Sequence, residues 1–145
     1  AGPLNGGRPK LRILLIDDEP FMLQLIVRML NDLEISEVTT AKNGSEGLTE
    51  VEQSRKDFDL IICDLEMPMM NGFEFVDDLR KSTDTVSART PVIILTGHSH
   101  EQAVRNAVEL GIHGFLAKPH TEGALEKKIV SALTSPPIDP EVLKR

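Results

Sequence analysis

The run Leu60, Ile61, Ile62 and Cys63 stops abruptly at Asp64, and this stretch constrains the fold more than any other. An apolar run without polar alternation marks a strand covered on both faces, which requires a parallel sheet with helices on either side. Such sheets bind ligands outside the carboxyl ends of their strands. Asp64 is therefore delivered to the edge where chemistry is done, although Asp is also a common turn former and this strand alone leaves both readings open.

The pattern recurs. Leu11 to Ile16 runs into Asp17, Asp18 and Glu19; residues 91–96 deliver the hydroxyl of Thr96; residues 114–117 deliver Lys118, followed by Pro119. Val38 to Ala41 is a weaker candidate with too little bulk for a central position, so it is expected at an edge. Helical stripes separate these runs. Pro20 suits a first turn, and Met22, Leu25, Ile26, Met29, Leu30 and Leu33 follow at three- and four-residue steps. Asn43 with Glu46, and Asn71 with Glu74, resemble helix starts worth about 1 kcal/mol each. The helices they open turn Leu48 and Val51, then Phe73, Val76 and Leu79, inward, the first running to about Lys56. Residues 81–90 read as a polar loop. Ser99 with Gln102 opens a further helix that stops at Gly111, and Thr121 caps a last one with Leu125, Ile129, Ala132 and Leu133 inward. Five alternations predict an α/β fold, a single doubly wound (βα)5 domain with right-handed crossovers.

At 145 residues the chain suffices for one domain. Residues 1–10, with three Gly and two Pro, read as a disordered lead; residues 11–134 form the domain; residues 135–145 read as a Pro-rich tail or linker. A net charge of -7 without basic clusters argues against direct nucleic-acid contact, and no apolar run approaches membrane-spanning length. With 3% aromatics and no Trp or Tyr, a base-stacking platform has little to be built from. The single cysteine, Cys63, reads as a core residue; without an internal disulfide or a secretory signal pattern, a cytoplasmic setting is expected.

Asp17, Asp18, Asp64, Thr96 and Lys118 all fall at the carboxyl ends of expected strands. Carboxylates about 4 Å apart repel by about 4 kcal/mol at an effective dielectric near 20, so such a cluster needs a cation. Oxygen ligands with open positions favour Mg2+, which takes one or two carboxylates together with phosphate oxygens. A phosphoryl group is then the natural substrate: an Asp carboxylate can attack phosphorus while metal and lysine offset charge on its oxygens.

These residues, in this order, resemble the response-regulator receiver domain of two-component signalling, over about Leu11 to Leu133. Asp17 and Asp18 match the family's acidic pair; Asp64 to Gly72, with Met67-Pro68 and Asn71-Gly72, matches its phosphoacceptor turn. Thr96 matches the hydroxyl, Lys118-Pro119 the lysine-proline pair, and Phe115 the aromatic switch position. The resemblance implies a flavodoxin-like sheet of order 2-1-3-4-5 with its switch point between the strands of Asp17 and Asp64. It implies phosphorylation of Asp64 by a sensor histidine kinase or a histidine phosphotransfer protein. Asp18 would ligate Mg2+ directly, Asp17 largely through water, and Asp64 and the Glu66 backbone carbonyl would complete the protein ligands. Thr96 and Lys118 would bind phosphoryl oxygens, and Thr96 and Phe115 would switch. Glu66 and His98 would flank the path of hydrolytic water. A downstream output partner or fused output domain is expected but not identified, and no turnover beyond the domain's own phosphorylation and dephosphorylation. His120, where the family commonly has an apolar residue, and Ile112, in place of its usual small one, depart from the pattern.

Other classes fit less well. A haloacid-dehalogenase-like phosphatase needs a second Asp two residues beyond the nucleophile, where this chain has Glu66. A flavodoxin-like FMN binder would share the fold, since fold does not fix function, and an unphosphorylated docking receiver would not need the acid cluster.

Overall fold

The structure, a computed structural model, describes residues 10–97, 105–106, 108–118 and 121–139. Five strands, β1 (Arg12–Ile16), β2 (Glu37–Ala41), β3 (Leu60–Asp64), β4 (Val92–Thr96) and β5 (Gly114–Ala117), form one sheet of order β2-β1-β3-β4-β5. Every neighbouring pair is parallel. The weak strand is at an edge, as its composition required, and the two most apolar strands, β3 and β4, are buried throughout.

Strand alternation divides the core between the two faces. Ile13, Leu15, Ile62 and Leu95 pack with Met22, Ile26 and Leu30 of α1 (Pro20–Asp32) and with Leu125 and Ile129 of the last helix. Leu14, Ile16, Ile61, Cys63 and Ile94 pack on the other face with Phe75, Val76 and Leu79. Cys63 is fully buried, and burial pushes its thiol well above the usual range, in keeping with a core role.

α2 (Gly44–Gln53) and α3 (Gly72–Arg80) begin where their Asn residues stand. Asn43 accepts from the Glu46 amide, and Asn71 forms a reciprocal capping box with Glu74. α2 ends short of Lys56, and its inward positions are Gly44, Gly47, Leu48 and Val51. Two are glycines because the helix lies close to its neighbours: a Cβ on Gly47 would collide with the Ile16 side chain. In α3 the inward stripe is Gly72, Phe75, Val76 and Leu79, while Phe73 is only half-buried. The expected 73, 76, 79 series drifts around the helix, whereas positions i, i+3, i+4 and i+7 stay on one face.

The expected loop at 81–90 contains a one-turn helix, α4 (Thr85–Ala88), started by Asp84, which accepts from the Val86 amide and the Ser87 hydroxyl. Val86 is exposed, so no apolar stripe announced it. Residues 105, 106, 108 and 109 are helical, and Gly111 takes the left-handed conformation (φ 88°) expected at a helix end. The expected start of that helix at Ser99 lies outside the described residues. Thr121 accepts from the Ala124 amide at the start of α5 (Glu122–Thr134).

Candidate functional site

The carboxyl ends of β1, β3, β4 and β5 bring their terminal side chains together. Asp17 follows β1, is fully buried, and accepts at Oδ1 from the Glu19 amide (2.9 Å). Asp64 ends β3 at 2% exposure, and its Oδ1 accepts from the Glu66 amide at 3.3 Å. Thr96 ends β4, buried, and its carbonyl accepts from the Lys118 amide (2.8 Å), which sets the lysine beyond β5.

Lys118 joins the strands. Its ammonium lies 2.8 Å from Asp17 Oδ2, 3.3 Å from Asp64 Oδ2 and 3.8 Å from Glu19 Oε1. Burial disfavours its charge, but Asp17 and Asp64 outweigh that and raise its pKa. Burial pushes the Asp64 carboxyl up to about 7, against the pull of Lys118 and with the repulsion of Asp17. One ammonium does not satisfy this many acids.

Oxygens of Asp17, Asp18 and Glu19 all lie within 4.8 Å of one another, with Asp18 and Glu19 exposed. Asp17 Oδ2 is buried and faces the Lys118 ammonium, yet accepts no well-directed hydrogen bond. An all-oxygen set with a buried, under-satisfied carboxylate and an open side fits Mg2+, a hard cation that retains several waters.

Asp17, Asp64 and Lys118 thus meet directly, with Asp18 beside Asp17 and Thr96 on the adjacent strand end. Glu66 is exposed, with its amide on Asp64. Phe115 is half-buried on β5, with Lys128 Nζ of α5 5.8 Å from its ring centroid. His98 lies outside the described residues. Glu19 was the missed member: it is the third acid of the run that supplied Asp17 and Asp18, and that continuity was its signal. Gly72 is also part of the site, because a Cβ there would stand 2.8 Å from the Asp64 carbonyl oxygen. Among the described residues, nothing lies within 4 Å of a Cβ placed on Gly97.

A match to the response regulator receiver domain family spans residues 13–130. Chemotaxis protein CheY-3 of Vibrio cholerae is 28% identical over 120 residues, 82% of this chain and 88% of the relative. A protein-glutamate methylesterase/protein-glutamine glutaminase of Koribacter versatilis is 35% identical over 118 residues, 79% of this chain but 31% of that protein. The chain therefore spans most of one curated relative and under a third of the other. Among solved structures, chemotaxis protein CheY4 of Vibrio cholerae aligns with a TM-score of 0.77 at 32% identity, covering 86% of this chain and all of that one. The receiver domain of sensor histidine kinase PA1611 from Pseudomonas aeruginosa, with a magnesium ion coordinated in its active site cleft, aligns at 0.76 and 26% identity, covering 88% of this chain and all of that one.

Proposed function

Because the chain belongs to the response regulator receiver domain family, we propose that Asp64 is its phosphoacceptor and that the receiver occupies residues 11–134. A receiver domain is the phosphorylated switch of a two-component system, and this chain carries one. The observation that best supports the assignment is the partly buried Lys118 ammonium spanning Asp17 and Asp64, which holds a cation beside the acid that ends the central strand.

The donor is a phosphohistidine of a sensor kinase or phosphotransfer protein. A carboxylate oxygen of Asp64 attacks phosphorus; the P–O bond forms as the P–N bond breaks, and the electron pair returns to the imidazole nitrogen. Lys118 and the Thr96 hydroxyl donate to the phosphoryl oxygens. Asp17, Asp18, Asp64 and the Glu66 carbonyl would hold Mg2+, with Glu19 as a further acidic neighbour, and the ion when bound would supply positive charge to offset that of the phosphoryl oxygens. Thr96 and Phe115 then shift together as the switch. No turnover beyond the domain's own phosphorylation and dephosphorylation is assigned, and the different names of the relatives leave the output open. Among the described residues no helix is long and apolar enough to cross a membrane.

Intact-mass spectrometry after incubation with acetyl phosphate tests the metal assignment. Phosphate is expected on the parent protein with Mg2+, and at least tenfold less in excess EDTA or in Asp18→Ala. Undiminished labelling in both would overturn it.

A further inference from the structure

The expected tail does not leave the domain where α5 ends. Ser135 is extended (φ -125°, ψ 156°), and the chain returns to the amino-end edge of the sheet, where the Ile138 amide donates to the Ile112 carbonyl at 2.9 Å. Ile138 is half-buried against the core cluster that contains Phe75, Leu79, Val92 and the fully buried Ile112. Pro137 lines a cleft of about 380 Å³ with Arg80, Leu110, Gly111 and His113. A free linker would show neither the hydrogen bond nor the apolar contact.

Ile112, which departs from the family pattern, thus belongs to a tightly held link. Arg80 Nη2 of α3 donates to the Gly111 carbonyl (2.7 Å), Ile138 to the Ile112 carbonyl, and the His113 amide to the Val92 carbonyl (2.8 Å). Three consecutive residues are therefore tied to α3, to the tail and to β4. The next four residues are β5, which carries Phe115 and ends beside Lys118. A strand this short transmits a shift at one end to the other, because its ladder to β4 is continuous from Gly114 to Ala117.

We propose that residues 136–138 form an intramolecular clasp whose docking is coupled to the phosphorylation state of Asp64. The inference rests on the receiver reading. In the resting state Lys118 is held by Asp17 and Asp64, and the clasp holds the other end of β5; drawing Lys118 toward a phosphoryl group displaces β5 and loosens the clasp. Coupling of this kind is reciprocal, so weakening the clasp favours the phosphorylated form.

Amide hydrogen exchange and beryllofluoride titration with Mg2+, on the full chain, test both halves. The Ile138 amide is expected to be protected at rest and to exchange at least fivefold faster with beryllofluoride. Ile138→Asp and the milder Ile138→Ala are expected to bind beryllofluoride severalfold more tightly. An unprotected Ile138 amide at rest would overturn the clasp. Protection that beryllofluoride leaves unchanged, with equal affinities in parent and folded variants, would overturn the coupling. A parent that binds no beryllofluoride would overturn the receiver assignment and the coupling with it, while protection at rest would still decide the clasp.

Discussion

The two ends of the sheet handle charge in opposite ways. At the carboxyl end, Asp17, Asp64 and Glu19 converge on one ammonium, and Asp17 Oδ2 is left without a directed hydrogen bond. At the amino end the cations are absorbed by the protein. Arg80 donates to the carbonyls of Ala88 (3.0 Å), Thr90 (2.8 Å) and Gly111 (2.7 Å). Arg12 donates to the carbonyls of Lys56 and Asp57, pairs with Glu37, and lies 4.8 Å from the centroid of the Phe58 ring. Charge consumed by backbone acceptors knits loops together, whereas charge facing like charge is an unmet demand that a ligand can satisfy. Asp17 and Asp64 are buried, and Arg12, Arg80 and His113 are half-buried.

The largest expected contrast pairs Asp64→Asn with Arg80→Ala. The first should abolish acetyl phosphate labelling with no loss of thermal stability, because it removes a buried charge that Asp17 repels while Lys118 keeps its closer partner Asp17. The second should cost about 2–4 kcal/mol by leaving three carbonyls without their donor, while retaining labelling in whatever fraction is folded. Mass spectrometry and denaturant melts read the two effects separately, and an Asp64→Asn protein that still labels would end the assignment.

Gly72→Ala and Gly97→Ala sharpen the comparison within the functional end. A methyl on Gly72 meets the Asp64 carbonyl oxygen and the Leu65 Cα at 2.8 and 2.9 Å, so a loss of about 1–3 kcal/mol is expected. At Gly97 nothing among the described residues obstructs a methyl, and the change should stay within about 0.5 kcal/mol. Equal melting temperatures for the two variants would contradict this.

The ends should also respond to pH with opposite sign. Asp64, raised from 3.8 to about 7 by burial, binds more protons folded than unfolded between those values. Without metal, its contribution to stability is full below about pH 4 and is lost as pH rises through about 7. His113, lowered from 6.5 to about 4 by burial and by Arg80, behaves in the reverse sense. Its contribution is full above about 6.5 and is lost as pH falls through about 4. Over about pH 4 to 7, Asp64→Asn should therefore remove a fall in metal-free stability with rising pH, and His113→Gln should remove a rise. Profiles parallel to the parent's for both variants would refute the contrast.

The smallest effect is expected at Glu66. The side chain is exposed beside Asp64, so Glu66→Asn should change the decay rate of phospho-Asp64 severalfold and leave Mg2+ affinity nearly intact. Decay identical to the parent across about pH 6 to 8, where an unperturbed histidine also titrates, would show a solvated bystander.

Most of the site was legible because strand-end chemistry is written locally. Asp17, Asp64, Thr96 and Lys118 each follow an apolar run, and parallel pairing of those runs brings the four together. Glu19 was readable as the next acid in its run but not as a neighbour of Lys118, because that contact depends on the Lys118 side chain reaching from beyond β5 across the strand ends to β1. Phe75 was passed over for Phe73, since choosing between adjacent aromatics requires the helix to be oriented on the sheet.

The sequence by itself determined the strands, their order of acids and hydroxyl, the Asn43, Asn71 and Thr121 caps, and the parallel doubly wound class. The strands and caps arise from interactions between residues close in the chain, where period and capping chemistry are short-range, and the parallel class follows because unalternating apolar strands separated by helices can only be covered on both faces. Only the tertiary structure decided that Lys118 bridges Asp17 and Asp64, that Arg80 gathers three carbonyls up to 31 positions away, and that Ile138 returns to Ile112. Each joins residues whose separation along the chain carries no periodic signal, and each exists because packing closes the distance and burial leaves a polar group in need of a partner.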